Sequence, residues 1–365
     1  MRFDKDKYIK IDSMCSVMMG SIYVARFFVG WIPGLKRILD FVERKVDRTF
    51  CKKFTSYWCL SKARKGQWSE IDIGLIDSCT DLNMKDNRGN TLLIYTCKGK
   101  MTEIADKLID KGADIDVVDE NGRTALVYAC ENDMTEVANK LIDKGADIDV
   151  VDKYGETALM YACREGMTEV VNKLIDKGAD IDVVDKYGNT ALVYACREGM
   201  TEVVNKLIDK GADVNVVDNI GRTALMRACL NDRPEIADKL IDKGADIDVV
   251  DEDGRTALVY ACEKGMTEIA NKLIDKGADV NVVDGLGRTP LILACWRGMT
   301  EVVNKLIDKG ADVNVVTKSG VTALIYACEN GMTEVVNKLI DKGADVNVVT
   351  KSGVTALIYA CENGM

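Results

Sequence analysis

No histidine occurs anywhere in this chain of 365 residues. Its absence excludes Ser-His and Cys-His nucleophilic pairs and every His-containing metal site. It also removes the side chain best suited to carrying protons near neutral pH, which leaves carboxylate or lysine chemistry as the open catalytic routes. Prolines number three, and with 47% hydrophobic residues the chain is neither disordered nor fibrous in composition. No glycine-rich phosphate loop, metal-ligand spacing or nucleophile elbow is present. Positive charge is scarce outside the start of the chain: residues 1–70 hold 15 Lys and Arg against 7 Asp and Glu, a net of +8, which leaves −18 for the rest of a chain at −10. An acidic body of that kind repels a phosphate backbone, so nucleic acid is not expected as a partner of residues 71–365.

What is abundant is repetition. The octapeptide KLIDKGAD begins at Lys107 and returns every 33 residues, up to Lys338. Nine of the 13 cysteines share the period, from Cys97 to Cys361, with no CxxC among them. Stacked helices place equivalent residues roughly 8–10 Å apart, beyond the ~7 Å Cα separation that a disulfide spans. These cysteines are therefore expected to be small buried apolar residues in a reducing, intracellular compartment, and neither disulfides nor metal ligands.

One unit runs from Asp152 to Val184. Leu159, Ala162 and Cys163 lie on one face of a short helix, with Thr157 as its N-cap and Glu165-Gly166 as its end. Thr168 then reads as the N-cap of a second helix, whose apolar stripe is Val170, Val171, Leu174 and Ile175 and whose stop is Gly178. The tail ADIDVVDKYG forms two extended arms around a turn. Pro234 and Pro290 fall at helix starts, where proline's missing N–H is tolerated.

A helix-turn-helix-hairpin of 33 residues carrying G-x-T-[AP]-L and G-A-D-[IV]-[ND] resembles the ankyrin repeat. The resemblance implies an all-α ankyrin-repeat solenoid of stacked helix-turn-helix-hairpin units. It places eight repeats at 86–349, a truncated ninth at 350–365 and a degenerate half repeat at 71–85. It also implies a non-catalytic module that binds a protein partner in the cytoplasm, with no cofactor, no metal and no small-molecule substrate. The chain departs from the family at two positions where His is usual: Met160 and its equivalents after the TAL motif, and Met167 between the helices.

The ends differ from the repeats. Solenoid repeats cover one another, so terminal units need caps, and the half repeat after Thr350 is expected to fray, leaving Val335, Leu339 and Ile340 partly uncovered. Residues 1–70 form a basic, partly apolar segment. The run Met14–Leu35 is interrupted by Arg26 and Pro33, and Leu35, Ile38, Leu39, Val42, Val46 and Phe50 share one helical face. A helical cap on the array fits that pattern. Membrane contact through residues 14–50 stays open, as does a ligase-adaptor role for residues 32–58 on a faint F-box likeness.

Repeats compared within the chain vary at the hairpin tips and at the end of the first helix, while the second helix barely changes. Those variable places are the ones the resemblance assigns to the concave, partner-facing side. They hold Tyr154, Arg164, Tyr187, Arg197, Ile220, Arg222, Arg227, Leu230, Leu286, Arg288, Trp296 and Arg297. Tyr, Trp and Arg dominate interface hot spots because they offer rigid area or forked hydrogen bonding. The rows of Asp176, Asp209 and Asp242 among lysines read as a solvated charge ladder, not as a carboxylate active site.

Overall fold

The computed structural model describes residues 48–71 and 73–365. Among the described residues there are nineteen α-helices and no strand, which makes the fold all-α. Two compact units divide the chain after Val150. The first contains α1 (Arg48–Arg64), α2 (Ile73–Ser78), α3 (Leu92–Lys98), α4 (Thr102–Asp110), α5 (Ala125–Glu131) and α6 (Thr135–Asp143). The second contains six helix pairs and one unpaired helix. The pairs begin with α7 (Ala158–Arg164) and α8 (Thr168–Asp176), α9 (Ala191–Glu198) and α10 (Thr201–Asp209), and α11 (Ala224–Leu230) and α12 (Pro234–Asp242). They continue with α13 (Ala257–Lys264) and α14 (Thr267–Asp275), α15 (Pro290–Trp296) and α16 (Thr300–Asp308), and α17 (Ala323–Glu329) and α18 (Thr333–Asp341); α19 (Ala356–Glu362) stands last.

Each pair is built the same way for local reasons. The Thr157 hydroxyl accepts the Met160 N–H at 3.4 Å and starts α7, satisfying a donor that the helix leaves unpaired. The second helix starts differently from the sequence expectation: Met167 holds the cap position without a side-chain hydrogen bond, and Thr168 is already helical. The reason lies in the end of α7: the Met167 N–H donates to the Ala162 carbonyl at 2.9 Å and the Gly166 N–H to the Cys163 carbonyl at 3.2 Å, a glycine-ended helix stop that leaves Met167, its side chain buried, at the cap of α8. Gly178, at φ +87°, ends α8 in the left-handed region.

First helices pack on first helices and second helices on second helices: α9 lies between α7 and α11, and α10 between α8 and α12. Leu159, Ala162, Cys163, Val170, Val171 and Leu174 are almost completely buried in these layers. A repeat cannot cover these faces by itself, so burial of each apolar stripe, on the order of 1.5–3 kcal/mol per large side chain, depends on its neighbours. The eight in-register cysteines from Cys97 to Cys328 are buried free thiols, and Cys361 is exposed. Burial pushes the Cys97 thiol up to about 12 and the Cys229 thiol likewise to about 12.

The ends correct one expectation and leave others untouched. Val335 and Leu339 are fully covered, because α18 packs on α17 and α16, whereas Ile340 is exposed as expected, together with Val346, Val349, Leu357, Ile358 and Met365. In the first unit α1 packs on α2 and α3, burying Cys59, Leu60 and Ala63. The apolar run Met14–Leu35, the helical face from Leu35 to Val46, the Phe50 side chain and residues 32–47 of the F-box-like stretch lie outside the described residues. Among the described residues no helix is long and apolar enough to cross a membrane.

A feature not anticipated from the sequence opens each repeat that begins with aspartate. Asp251 is buried, and its Oδ1 accepts the Asp253 and Arg255 N–H groups, each at 3.0 Å, which ties the tip turn. Its Oδ2 accepts the Tyr260 hydroxyl at 2.5 Å and Arg222 Nε at 3.0 Å. Burial alone would raise the Asp251 carboxyl, but the Tyr260 hydroxyl, the Arg255 N–H and the Arg222 guanidinium outweigh it and hold it below the ordinary carboxylate range.

Two predictions follow from this packing. A folded pKa below the unfolded value of about 3.9 stabilises the fold fully above that pH and loses the contribution as pH falls through the lower folded value. Urea unfolding should therefore show a falling midpoint below about pH 4, and Asp251→Asn should cost about 1–3 kcal/mol at neutral pH with a shallower acid slope. Maleimide labelling without denaturant should modify Cys361 well before any of the eight buried in-register cysteines, read by peptide mass mapping.

Candidate partner-binding surface

The tips of the second unit form a row because the chain ties them to one another. Tyr154 O accepts the Lys186 N–H at 2.8 Å, Tyr187 O the Asn219 N–H at 2.8 Å, and Ile220 O the Glu252 N–H at 3.0 Å. Asp253 O accepts the Gly285 N–H at 2.7 Å and Leu286 O the Lys318 N–H at 2.9 Å. Each tip residue also gives its own N–H to the opening aspartate, as Tyr187 does to Asp185 at 2.8 Å. With the backbone held at both polar groups, the tip side chain is left to project. Gly188 makes the close approach feasible: it sits at φ +85°, and a Cβ there would lie 2.7 Å from Asp218 Cα.

Along this row Tyr187 is 54% exposed, Ile220 37% and Leu286 51%. Tyr154 is half-buried, with the Lys186 ammonium 3.8 Å from its ring centroid; the same ammonium is 4.9 Å from the Tyr187 ring. At the ends of the first helices, Trp296 is 41% exposed and carries the Arg297 guanidinium 4.2 Å above its ring. Arg297 Nε donates to the Glu263 carbonyl at 2.7 Å, so the stacked pair is anchored to the preceding repeat. Leu230 and Arg197 are half-buried, and Arg197 pairs with Glu198 at 2.8 Å.

The remaining arginines of the sequence-derived set turn inward. Arg164 reaches Glu156 at 2.7 Å and lies 4.4 Å over the Tyr161 ring. Arg222 bridges Asp251 at 3.0 Å and Asp253 at 3.2 Å. Arg288 holds Asp284 at 2.7 Å and Glu263 at 3.0 Å. Arg227 donates to Asp218, doing what a tyrosine does in most other repeats. These side chains support the surface from beneath, whereas Tyr187, Ile220, Leu286, Trp296 and Arg297 present it.

The role of Asp251 is missed by composition and motif reasoning alone, whereas Glu263 falls among the variable first-helix-end positions. Glu263 collects Arg288 at 3.0 Å, Arg255 at 3.7 Å and the Arg297 contact to its carbonyl, which makes it the hub of the Trp296 end. The recurrent spacing of nine residues between the opening Asp and the first-helix Tyr was the available signal. Asp251 in turn keeps its partner neutral: burial, then the carboxylate's hydrogen bond and charge, push the Tyr260 hydroxyl up to about 12.

A family model described as "Ankyrin repeats (3 copies)" matches overlapping stretches 70–152, 136–218, 159–251, 198–284, 225–317 and 291–365, which together span residues 70–365. No curated protein matches the chain.

Inward and outward residues should separate in a stability measurement. Arg164→Ala strands the buried Glu156 carboxylate and should cost about 1–3 kcal/mol in chemical unfolding. Tyr187→Ala removes an exposed ring and should stay within about 0.5 kcal/mol of the parent.

Proposed function

Because the chain belongs to the ankyrin-repeat family, whose repeats are generally protein–protein interaction modules and whose members are typically non-enzymatic, we propose that it is a scaffold binding a protein partner through the tips and first-helix ends of its second unit. The observation that carries this reading is the backbone-tied tip row, which holds Tyr187, Ile220 and Leu286 exposed, with Trp296 exposed as well at a first-helix end. Large apolar side chains kept in water by a rigid frame lose little conformational entropy when a partner covers them. Arg297 over Trp296 adds a cation at the rim, and Glu252 and Asp253 an acidic stretch between the two apolar ends, which gives the surface a charge pattern for discrimination. The −18 net charge of residues 71–365 favours a protein over a nucleic acid.

Affinity capture with the full chain, compared with the Tyr187→Ala/Trp296→Ala double variant, tests the surface. Both substituted side chains are exposed, so the variant should keep its unfolding midpoint and lose partner recovery by roughly tenfold or more. Partners recovered at full strength by the folded double variant would sink the proposed surface.

A further inference from the structure

Wherever a described repeat opens with aspartate, its second carboxylate oxygen takes a donor from within the array. Tyr95 serves Asp86 at 2.7 Å, Tyr128 serves Asp119 at 2.7 Å, Tyr161 serves Asp152 at 2.9 Å and Tyr194 serves Asp185 at 2.5 Å. Asp251 has Tyr260, and Asp218 and Asp284 have Arg227 and Arg288. The repeats opening at Thr317 and Thr350 break the rule.

There the threonine hydroxyl takes over only half of the aspartate's work. Thr317 Oγ1 accepts the Val321 N–H at 2.9 Å and Thr350 Oγ1 the Val354 N–H at 3.0 Å, so the turns are kept. No carboxylate is left for the first-helix tyrosines, and among the described residues neither the Tyr326 nor the Tyr359 hydroxyl has a hydrogen-bond partner. A second substitution acts at the same place. Val321 occupies the position of Arg222, the side chain that reaches forward to the next repeat's aspartate. With both groups replaced by smaller ones, a cleft of about 350 Å³ opens, lined by Tyr326, Tyr359, Thr350, Ser319, Ser352 and Lys351.

We propose that this cleft receives the carboxylate of an aspartate or glutamate side chain from an extended segment of a partner protein, supplying from outside the acceptor that other repeats carry in their own sequence. The chain contains the precedent. Asp119 accepts the Tyr128 hydroxyl at 2.7 Å and the Lys98 ammonium at 3.0 Å. The cleft offers two such phenols, Tyr326 and Tyr359, and takes its cation from a different place: Lys351 of the tip turn lines it, while Glu329 stands where Lys98 stands relative to Asp119. Lys351 is the one cation among the lining residues and Glu329 offsets it, so a monoanion is tolerated where a dianionic phosphate is repelled. Burial, followed by the Glu329 charge, raises the Tyr326 hydroxyl above its ordinary value, which keeps it a donor at neutral pH. Val321, Ile325 and Val354 line the wall against which the methylenes of the incoming side chain would lie. None of these residues belongs to the Tyr154–Arg297 surface, so the two readings stand or fall separately.

The test is calorimetric titration of the full chain with acetyl-Gly-Ser-Asp-Ser-Gly-amide, with its Asn counterpart, and with sodium acetate. The Asp peptide should bind about tenfold or more tighter than the Asn peptide. Tyr326→Phe/Tyr359→Phe should weaken it by a similar factor, roughly tenfold, without loss of helicity. Thr350→Asp returns an in-chain acceptor to Tyr359 and places a carboxylate in the cleft itself, so it should abolish binding and raise the unfolding temperature. Equal binding of the two peptides, undiminished binding by the Phe variant, or undiminished binding by Thr350→Asp would each overturn the proposal. Acetate competing as well as the peptide would overturn its assignment to a protein segment. The Tyr187→Ala/Trp296→Ala variant should titrate like the parent.

Discussion

A carboxylate buried at the head of a repeat is the constraint on which most of this protein's front depends. It is out of water, so it must be satisfied completely, and it is satisfied from three directions: the tip turn, the first helix of its own repeat, and in places the preceding tip. Fixing the turn fixes the direction of the tip side chain. Fixing the helix to the turn fixes how the repeat presents its front to a partner. Removing the carboxylate while keeping the turn, as at Thr317 and Thr350, leaves unpaired phenols beside an open cleft.

The back of the array is governed by a weaker rule repeated many times. Lys107 pairs with Asp77 at 2.7 Å, Lys206 with Asp176 at 2.8 Å and Lys305 with Asp275 at 2.6 Å, each lysine reaching to the repeat before it. Pairs this exposed contribute roughly 0–1 kcal/mol apiece. Their regularity keeps the second helices soluble and in register without distinguishing one repeat from another. The front is where the repeats differ.

Much of this was legible in the residues. The 33-residue period, the Thr157 cap, the proline positions, the glycine stops and the buried cysteines follow from local chemistry, and the fold follows from repeating them. The second helix begins one residue away from the Thr168 cap expected, because the glycine-ended stop of the first helix, with Met167 N–H on the Ala162 carbonyl, leaves Met167 at the cap. Among the front residues, Tyr187, Leu286 and Trp296 project, whereas Arg164, Arg222, Arg227 and Arg288 turn to carboxylates that the helix ends bring beneath them. An arginine's long, flexible side chain takes its direction from where the nearest buried anion lies, and a linear pattern does not hold that information.

The sequence by itself determined the repeat, its helix boundaries and which faces must be buried, because periodicity and capping act over a few residues. Only the tertiary structure decided which polar groups meet. The distance from Arg222 to Asp251 is 29 residues along the chain and 3.0 Å in space. The unpaired hydroxyls of Tyr326 and Tyr359 likewise acquire meaning only beside the residues that stacking brings to them. Hydrogen bonds and ion pairs are short-ranged in space, so the partners of a buried charge are fixed by how neighbouring repeats pack.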